Sequence, residues 1–393
     1  MKQTTSVLLC LVAIFISLPS GAQKPSIEHG PWITNVTETG FTVVWTTAEK
    51  TFTWLELAPD DGTALSACKR PRFYNTISGR RQAGTIHSID VTGLEPGRGY
   101  RYRIYGKIVT DDSSAYGTAF GPESRMTTAT VKTFSQESEK CSFVMVNDIH
   151  GKDETFKALT QDIVPGSIDF FLMNGDMVSY INDRKFFLQH VYDPAAELLA
   201  STPLVYARGN HETRGSEAHC FGQYNPTSTD EPYFIFRHGP VAFIVIDAGE
   251  DKPDSSPEYS GYADFETYRK SQLEWIKTAT KCPEFSNAPL KVAIMHIPAL
   301  KEKSSYFAQL WVNEHFLPAL NDAGIDLMLS GHHHDHIYIQ SGQCGNKFPI
   351  LANDDTDRLE FEASSNGYTI RTVDTEGRIT SVYNQNGKVS QDE

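Results

Sequence analysis

Two patterns of apolar and polar positions divide the chain. From residue 24 to 134, apolar and polar residues alternate over short stretches, at 41–46, 86–91 and 100–105. A period of two with β-branched and aromatic residues predicts half-buried strands. Turn residues separate them: Pro59-Asp60-Asp61-Gly62, Gly79, Gly93 and Pro96-Gly97. This region reads as all-β, with Trp45 available for its core. From Cys141 the pattern changes to continuous apolar runs at 142–146, 170–173, 204–207, 241–247, 291–295 and 327–329, as expected of strands covered on both faces. Helical spacing fills 183–199, 268–279 and 309–320 between them. Short strands return at 337–340, 349–351, 368–374 and 378–383. Residues 141–385 therefore read as a layered α/β domain. The polar stretch 135–140 reads as a linker.

The stretch Leu94-Glu95-Pro96-Gly97-Arg98-Gly99-Tyr100 resembles the fibronectin type III pattern, in which a Tyr opens a strand after a Pro-Gly turn. The resemblance implies that the Tyr100 hydroxyl ties back to the upstream turn. Residues 24–134 are expected to form a small all-β immunoglobulin/fibronectin-like sandwich.

The first 22 residues read as a signal peptide. Lys2 gives a positive start, 7–18 is apolar, and Ser20-Gly21-Ala22 offers a cleavage site before Gln23. The apolar run is too short for a comfortable membrane span. Leu9 precedes Cys10, where a lipoprotein signal would have a small residue. The protein is expected to be secreted or periplasmic, without a transmembrane anchor. Beyond the signal, Cys68, Cys141, Cys220, Cys282 and Cys344 are dispersed, with no CxxC pair to suggest a zinc site, and their odd number implies a free thiol or an intermolecular bridge. A formal net charge of −14 over 393 residues disfavours nucleic acid as a partner. It leaves small phosphorylated substrates open, because bound cations reverse the local sign.

Five segments carry candidate chemistry, each just past the carboxyl end of a predicted strand, where open α/β sheets place ligands. They are Asn147-Asp148-Ile149-His150-Gly151, Asn174-Gly175-Asp176, Gly209-Asn210-His211-Glu212, Met295-His296-Ile297-Pro298 and Gly331-His332-His333-His334. Carboxylates, an amide and imidazoles together suit Zn, Fe or Mn ions better than Ca or Mg.

This ordered set resembles the calcineurin-like metallophosphoesterase superfamily, over 141 to about 340. With the N-terminal β-region and the Gly-Asn-His-Glu spelling, it looks most like the purple acid phosphatase branch. The resemblance implies a layered β-sandwich flanked by helices. It implies Asp148, His150 and His334 on one metal ion, Asn210, His296 and His332 on a second, and Asp176 bridging them. His211 would face the leaving group as general acid. The chemistry of the residues agrees. Two cations about 3.5–4 Å apart need a shared anionic ligand and turn a trapped water into a nucleophile.

Purple acid phosphatases have Gly at the position of His150 and a Tyr where this chain has Ser179, with Tyr180 one residue later. A colourless enzyme is therefore expected, with His150 filling the ligand place. Protein phosphatases of the Ser/Thr class carry Gly-Asp-x-Val-Asp-Arg-Gly. Gly175-Asp176-Met177-Val178-Ser179-Tyr180 lacks the second Asp and the Arg, which argues against that activity.

Other residues have blander readings. Alternation points His333 away from its neighbours, and His333 and His336 are read as non-ligands. Glu212 either orients His211 or makes a nearby ion pair. Arg208 and Arg214 could meet phosphate but read as structural or solvated. Tyr180 could line the pocket, His29 and His87 belong to the β-region, and the loop 250–262 reads as an ordinary surface loop. The expected activity is hydrolysis of a phosphate monoester by a metal-bridging hydroxide. A phosphodiester is the nearest alternative, and a non-catalytic binding protein is the alternative of another class.

Overall fold

The computed structural model describes residues 23–300 and 306–389. The proposed signal peptide, 1–22, lies outside them. Among the described residues the strands form two large sheets. The first runs Lys140–Val146, Phe170–Asn174 and Leu204–Ala207 in parallel, flanked on the other side of Lys140–Val146 by the antiparallel strands Asp357–Ser364, Gly367–Asp374 and Ile379–Asn384. The second contains Phe234–His238, Val241–Ile246, Leu290–Met295, Leu327–Ser330, Ile350–Ala352 and Ile337–Ile339. Their inner faces meet in one core, where Phe143 and Phe170 of the first sheet pack on Phe243 of the second.

Helices cover both outer faces. Phe156, Phe187 and Val191 pack on the first sheet's Val146, Phe171 and Met173. Ile276, Phe316 and Leu320 pack on the second sheet's Ile244, Ala293 and Met328. This is the expected β-sandwich flanked by helices. Strands with apolar residues on both faces are a consequence of that burial, which is why they appear as continuous apolar runs.

Three helical expectations need correction. The helix expected at 183–199 is broken into Arg184–Val191, a 3₁₀ turn Asp193–Ala195 and Ala196–Leu199. Pro194 lacks the N–H that would continue the first helix. The expected 309–320 helix extends over Phe307–Trp311, a π turn Val312–Phe316 and Leu317–Ala323. The π turn ends two residues before Pro318, where the ordinary ladder loses a donor. The expected 268–279 helix starts earlier, in Phe265–Ala279. The helix Asp153–Thr160 and the strands Phe234–His238 and Asp357–Ser364 have no counterpart in the reading of the sequence.

The N-terminal region is strand-rich, as expected. Its longest strand, Gly40–Pro59, pairs first with Ala83–Thr92 and then with Gly99–Asp111. The Tyr100 hydroxyl accepts the Glu95 N–H at 2.9 Å, closing the turn as the tyrosine corner implied. The region continues the first sheet. Trp32–Thr34 pairs with Gly40–Pro59 on one side and, at Thr34, with Leu204 on the other. Trp32 is fully buried, stacks on Tyr192 at 3.9 Å and donates to the Tyr224 carbonyl. The stretch 135–140 is not a free linker: Gln136 bonds to Glu38, and Ser135 takes a hydrogen bond from Gly239 N–H. All five described cysteines are free thiols. No helix among the described residues is long and apolar enough to cross a membrane.

Candidate metal centre

The five sequence segments converge at the carboxyl ends of the central strands of both sheets. Asp148 and His150 follow Lys140–Val146, Asp176 follows Phe170–Asn174, and Asn210 and His211 follow Leu204–Ala207. His296 follows Leu290–Met295, and His332 and His334 follow Leu327–Ser330. Because both sheets contribute, neither could build the cluster alone.

Asp148, His150 and His334 form one triad and Asp176, His296 and His332 another. In the first, His150 Nε2 lies 3.2 Å from His334 Nε2, and Asp148 Oδ1 lies 3.4 Å from His334 Nε2 and 3.9 Å from His150 Nε2. In the second, Asp176 Oδ2 is 3.1 Å from His296 Nε2, and His332 Nδ1 is 3.1 Å from Asn210 Oδ1. Ligands held about 2.1 Å from a common ion stand roughly 3–3.5 Å apart, so these spacings fit cation shells. The triads are adjacent: Asp148 Oδ1 is 3.8 Å from His296 Nε2, and Asp176 also groups with His150 and His211.

Each carboxylate has one oxygen tied down and one turned inward. Asp176 Oδ1 accepts the His211 N–H at 2.9 Å, leaving Oδ2 to the cluster. Asp148 Oδ2 accepts from His332 N–H and the Asn147 amide, both at 2.8 Å. Its Oδ1 is buried without a hydrogen bond to any described residue, as is His332 Nε2. Orphaned buried polar atoms are costly unless an ion or ligand completes them. The imidazoles are set in the same way. His296 Nδ1 donates to the Asn174 carbonyl at 2.7 Å, which turns the lone pair of Nε2 towards Asp176. Asp355 Oδ2 stands 3.3 Å from His334 Nδ1 and is held by Lys152 at 2.9 Å.

The electrostatics ask for positive charge. Burial lowers His296, but Asp176 and Asp148 overcome it and raise the imidazole to about 10. A cation between His296 and Asp176 would meet the demand that this proton otherwise meets. Burial, with neighbouring imidazoles adding to it, pushes His150 and His332 down to about 4 and about 2, and a neutral imidazole is the metal-binding form. Asp176 is held well below the usual carboxylate range, burial being outweighed by His296 and His211. The donor set, the inward atoms and the charge all fit a pair of cations.

The backbone is strained to make this arrangement. Asp148, His150, Asp176, His332 and His334 have φ of +55°, +51°, +55°, +75° and +51°, five of the nine described non-glycine residues with positive φ. Such conformations cost on the order of 1–3 kcal/mol each and cluster where function requires them. The glycines of the motifs permit close approach. A Cβ on Gly209 would lie 2.2 Å from Asp176 Oδ1, and one on Gly331 would lie 2.6 Å from Asp148 Oδ2.

Glu212 does neither of the things expected of it. Fully buried, it accepts from the N–H groups of Asp176, Met177 and Gly209 and from the Tyr206 hydroxyl, at 2.7–2.9 Å. It pins the loop that carries Asp176 rather than orienting His211. His211 is oriented by the Ser179 carbonyl, which accepts from Nδ1 at 2.8 Å, and its Nε2 lies 3.7 Å from Asp176 Oδ2. His333 turns to Gln309 and His336 to the Tyr383 hydroxyl, both away from the cluster. His87 is buried between Thr47 and Thr53, and His29 pairs with Asp193. Tyr180 is half exposed, and Ser179 Oγ lies 3.4 Å from His150 Nδ1.

The sequence reading missed Asn147, Glu212's anchoring role and Asp355. Asp355 carried a signal of the same kind as the ligands, since Asn353-Asp354-Asp355 also follows a strand end, Ile350–Ala352.

The family profile for calcineurin-like phosphoesterases matches residues 141–336. A purple acid phosphatase from yellow lupin (Lupinus luteus) seeds superposes with a TM-score of 0.63, covering 90% of this chain and 73% of its own, at 14% identity. That likeness is one of fold. A Plasmodium protein described as the anchor in the inner membrane complex aligns over 65% of this chain and 90% of its own, at 15% identity and a TM-score of 0.45, too loose to add to it. No curated protein matches the sequence.

Proposed function

Because residues 141–336 are a calcineurin-like phosphoesterase domain and the chain is thereby a metal-dependent phosphoester hydrolase, we propose that it hydrolyses a phosphate monoester outside the cytoplasm. Asp148, His150 and His334 would hold one cation, Asn210, His296 and His332 the other, and Asp176 would serve both. The pair, of Zn, Fe or Mn, would supply an activated water and positive charge for the phosphoryl oxygens. The observation that carries this reading is the convergence of seven candidate ligand side chains, with Asp148 Oδ1 and Asp176 Oδ2 turned inward.

The chain's own residues do the rest. Asn147 and the His332 N–H fix Asp148, and Glu212 and the His211 N–H fix Asp176, so the ligands are set before substrate arrives. His211 stands beside the centre as the group that gives a proton to the departing alcohol. Its Nδ1–H is committed to Ser179, so Nε2 is the nitrogen that carries that proton. Location outside the cytoplasm rests on Lys2, the apolar run 7–18 and Ser20-Gly21-Ala22.

The experiment is an assay of the metal-loaded mature protein on 4-nitrophenyl phosphate beside bis(4-nitrophenyl) phosphate. Faster turnover of the monoester supports this reading. Preference for the diester favours a phosphodiesterase, and no turnover of either contradicts both.

A further inference from the structure

Two arginines flank the Gly-Asn-His-Glu motif, and the structure separates them. Arg208 is spent on Asp247, with Nε and Nη2 at 2.8 and 2.6 Å from the same oxygen, and it lies over the Tyr268 ring. Arg214 turns the other way. Its Nε and Nη2 fork onto Glu250 at 2.5 and 2.9 Å, which leaves Nη1 on the opposite edge of the guanidinium. Nη1 lies 2.9 Å from His211 Nε2 and 3.2 Å from Nδ1. Nδ1 already donates to Ser179, and because the imidazole can engage at most one N–H of Nη1, at least one N–H of Nη1 is left to offer.

His211 Nε2 is in turn 3.7 Å from Asp176 Oδ2. A fixed guanidinium therefore stands one imidazole away from the carboxylate at the middle of the centre. Its clamp is rigid. Glu250 and Asp251, at the start of the loop 250–262, are buried, although the rest of it is the expected surface loop, with Tyr262 exposed. Buried Arg269 holds that loop's start by donating to the carbonyls of Ala248 and Glu250 at 2.8 and 3.1 Å. The Arg214 side chain is 29% exposed, so the clamp does not bury it fully. Arg214 also lines a cavity of about 800 Å³, together with Ser216, His219, Tyr259, Tyr262 and Phe265. Ligand pockets of roughly 300–1,000 Å³ bury most of a small organic molecule.

We propose that Arg214, positioned by Glu250, binds the substrate's phosphoryl oxygens beside the metal centre, and that the cavity it lines takes the ester's organic group. The proposal rests on the phosphoesterase reading above. A guanidinium stays charged and gives directed N–H donors to phosphate oxygens, and holding it in a carboxylate fork removes the entropy cost of ordering it at each encounter. The loop 250–262 supplies both the clamp and the cavity wall, so a single segment would set phosphate binding and the choice of alcohol.

The test uses the metal-loaded full mature chain with Arg214→Gln, Arg214→Lys, Glu250→Gln and, in the cavity wall, Ser216→Trp. Calorimetry with inorganic phosphate, KM and kcat for 4-nitrophenyl phosphate, and bound metal per chain are measured. Arg214→Gln should weaken inorganic phosphate and raise KM roughly 10- to 100-fold with metal content retained, Arg214→Lys should recover part of the loss, and Glu250→Gln should fall between. Ser216→Trp should raise KM for the aryl ester roughly tenfold with no change in inorganic phosphate affinity. A fall in kcat alone, with phosphate affinity and KM unchanged, would mean that Arg214 only orients His211 and would overturn the proposal. An unaltered KM in Ser216→Trp would overturn the cavity's part in it. Absence of both turnover and phosphate binding in the wild-type loaded protein would instead refute the phosphoesterase reading, and this proposal with it.

Discussion

Single residues at the centre are held by groups that never face the substrate. Glu212 is the plainest case, since three backbone N–H groups and a hydroxyl converge on it. An amide in its place can satisfy fewer of them and points N–H against N–H. Glu212→Gln is expected to destabilise the metal-free protein by about 2 kcal/mol, read by urea unfolding, and to weaken metal binding as the Asp176 loop loosens. Unchanged unfolding would show that the loop is held by other means. His150 gives the opposite expectation. Its φ of +51° is one that glycine adopts freely. His150→Gly should therefore stabilise the metal-free chain by about 1 kcal/mol while removing a ligand, the usual exchange of stability for function. Loss of stability in that variant would mean the His150 side chain contributes packing that outweighs the strain. The candidate ligands were legible because they are polar residues stranded at the ends of apolar runs. Their supports were not, because Asn147, Glu212 and Asp355 act through hydrogen bonds whose partners are distant in sequence.

Among the elements, the ends of strands were read most reliably, and the same physics explains the failures. Leu204–Ala207 appears with its expected bounds because Thr202-Pro203 and Arg208-Gly209 punctuate it. Phe234–His238 went unread because Arg237 and His238 interrupt its apolar pattern. His238 is nevertheless buried, and it ties the sheets together. Its Nε2 is 3.2 Å from Asp169 Oδ1, while its Nδ1 accepts the Ser135 N–H. Burial raises the Asp169 carboxyl, but His238 and Ser142 more than offset this and hold it below its ordinary value. A carboxylate depressed in the native state contributes stability above its unfolded pKa, and that contribution is lost as pH falls through the native value. Asp169→Asn should cost about 1–2 kcal/mol near neutral pH, and the gap to wild type should close as pH falls below the ordinary carboxylate range. A gap independent of pH in denaturant titrations would rule this contact out as an acid-sensitive tie.

Across the whole molecule, the order of motifs along the chain announced one site, but not that it needs both sheets or that the N-terminal strands extend the first of them. A pairing of Thr34 with Leu204, 170 positions further along by the numbering of those two residues, leaves no local pattern to read. The stacking of Trp32 on Tyr192 is equally silent in sequence. The fold brings candidate ligand loops from three parallel strands of the first sheet and two of the second to one point that holds two buried carboxylates, and that is what makes a cation pair the central claim. The most direct test strips the mature protein of metal, adds back Mn²⁺, Zn²⁺ or Fe²⁺ singly, and follows bound metal and 4-nitrophenyl phosphate turnover together, with Asp176→Asn alongside. The account predicts two ions per chain, turnover that returns with them, and loss of both the shared ion site and activity in the variant. Failure to bind metal, or turnover indifferent to its removal, would contradict it.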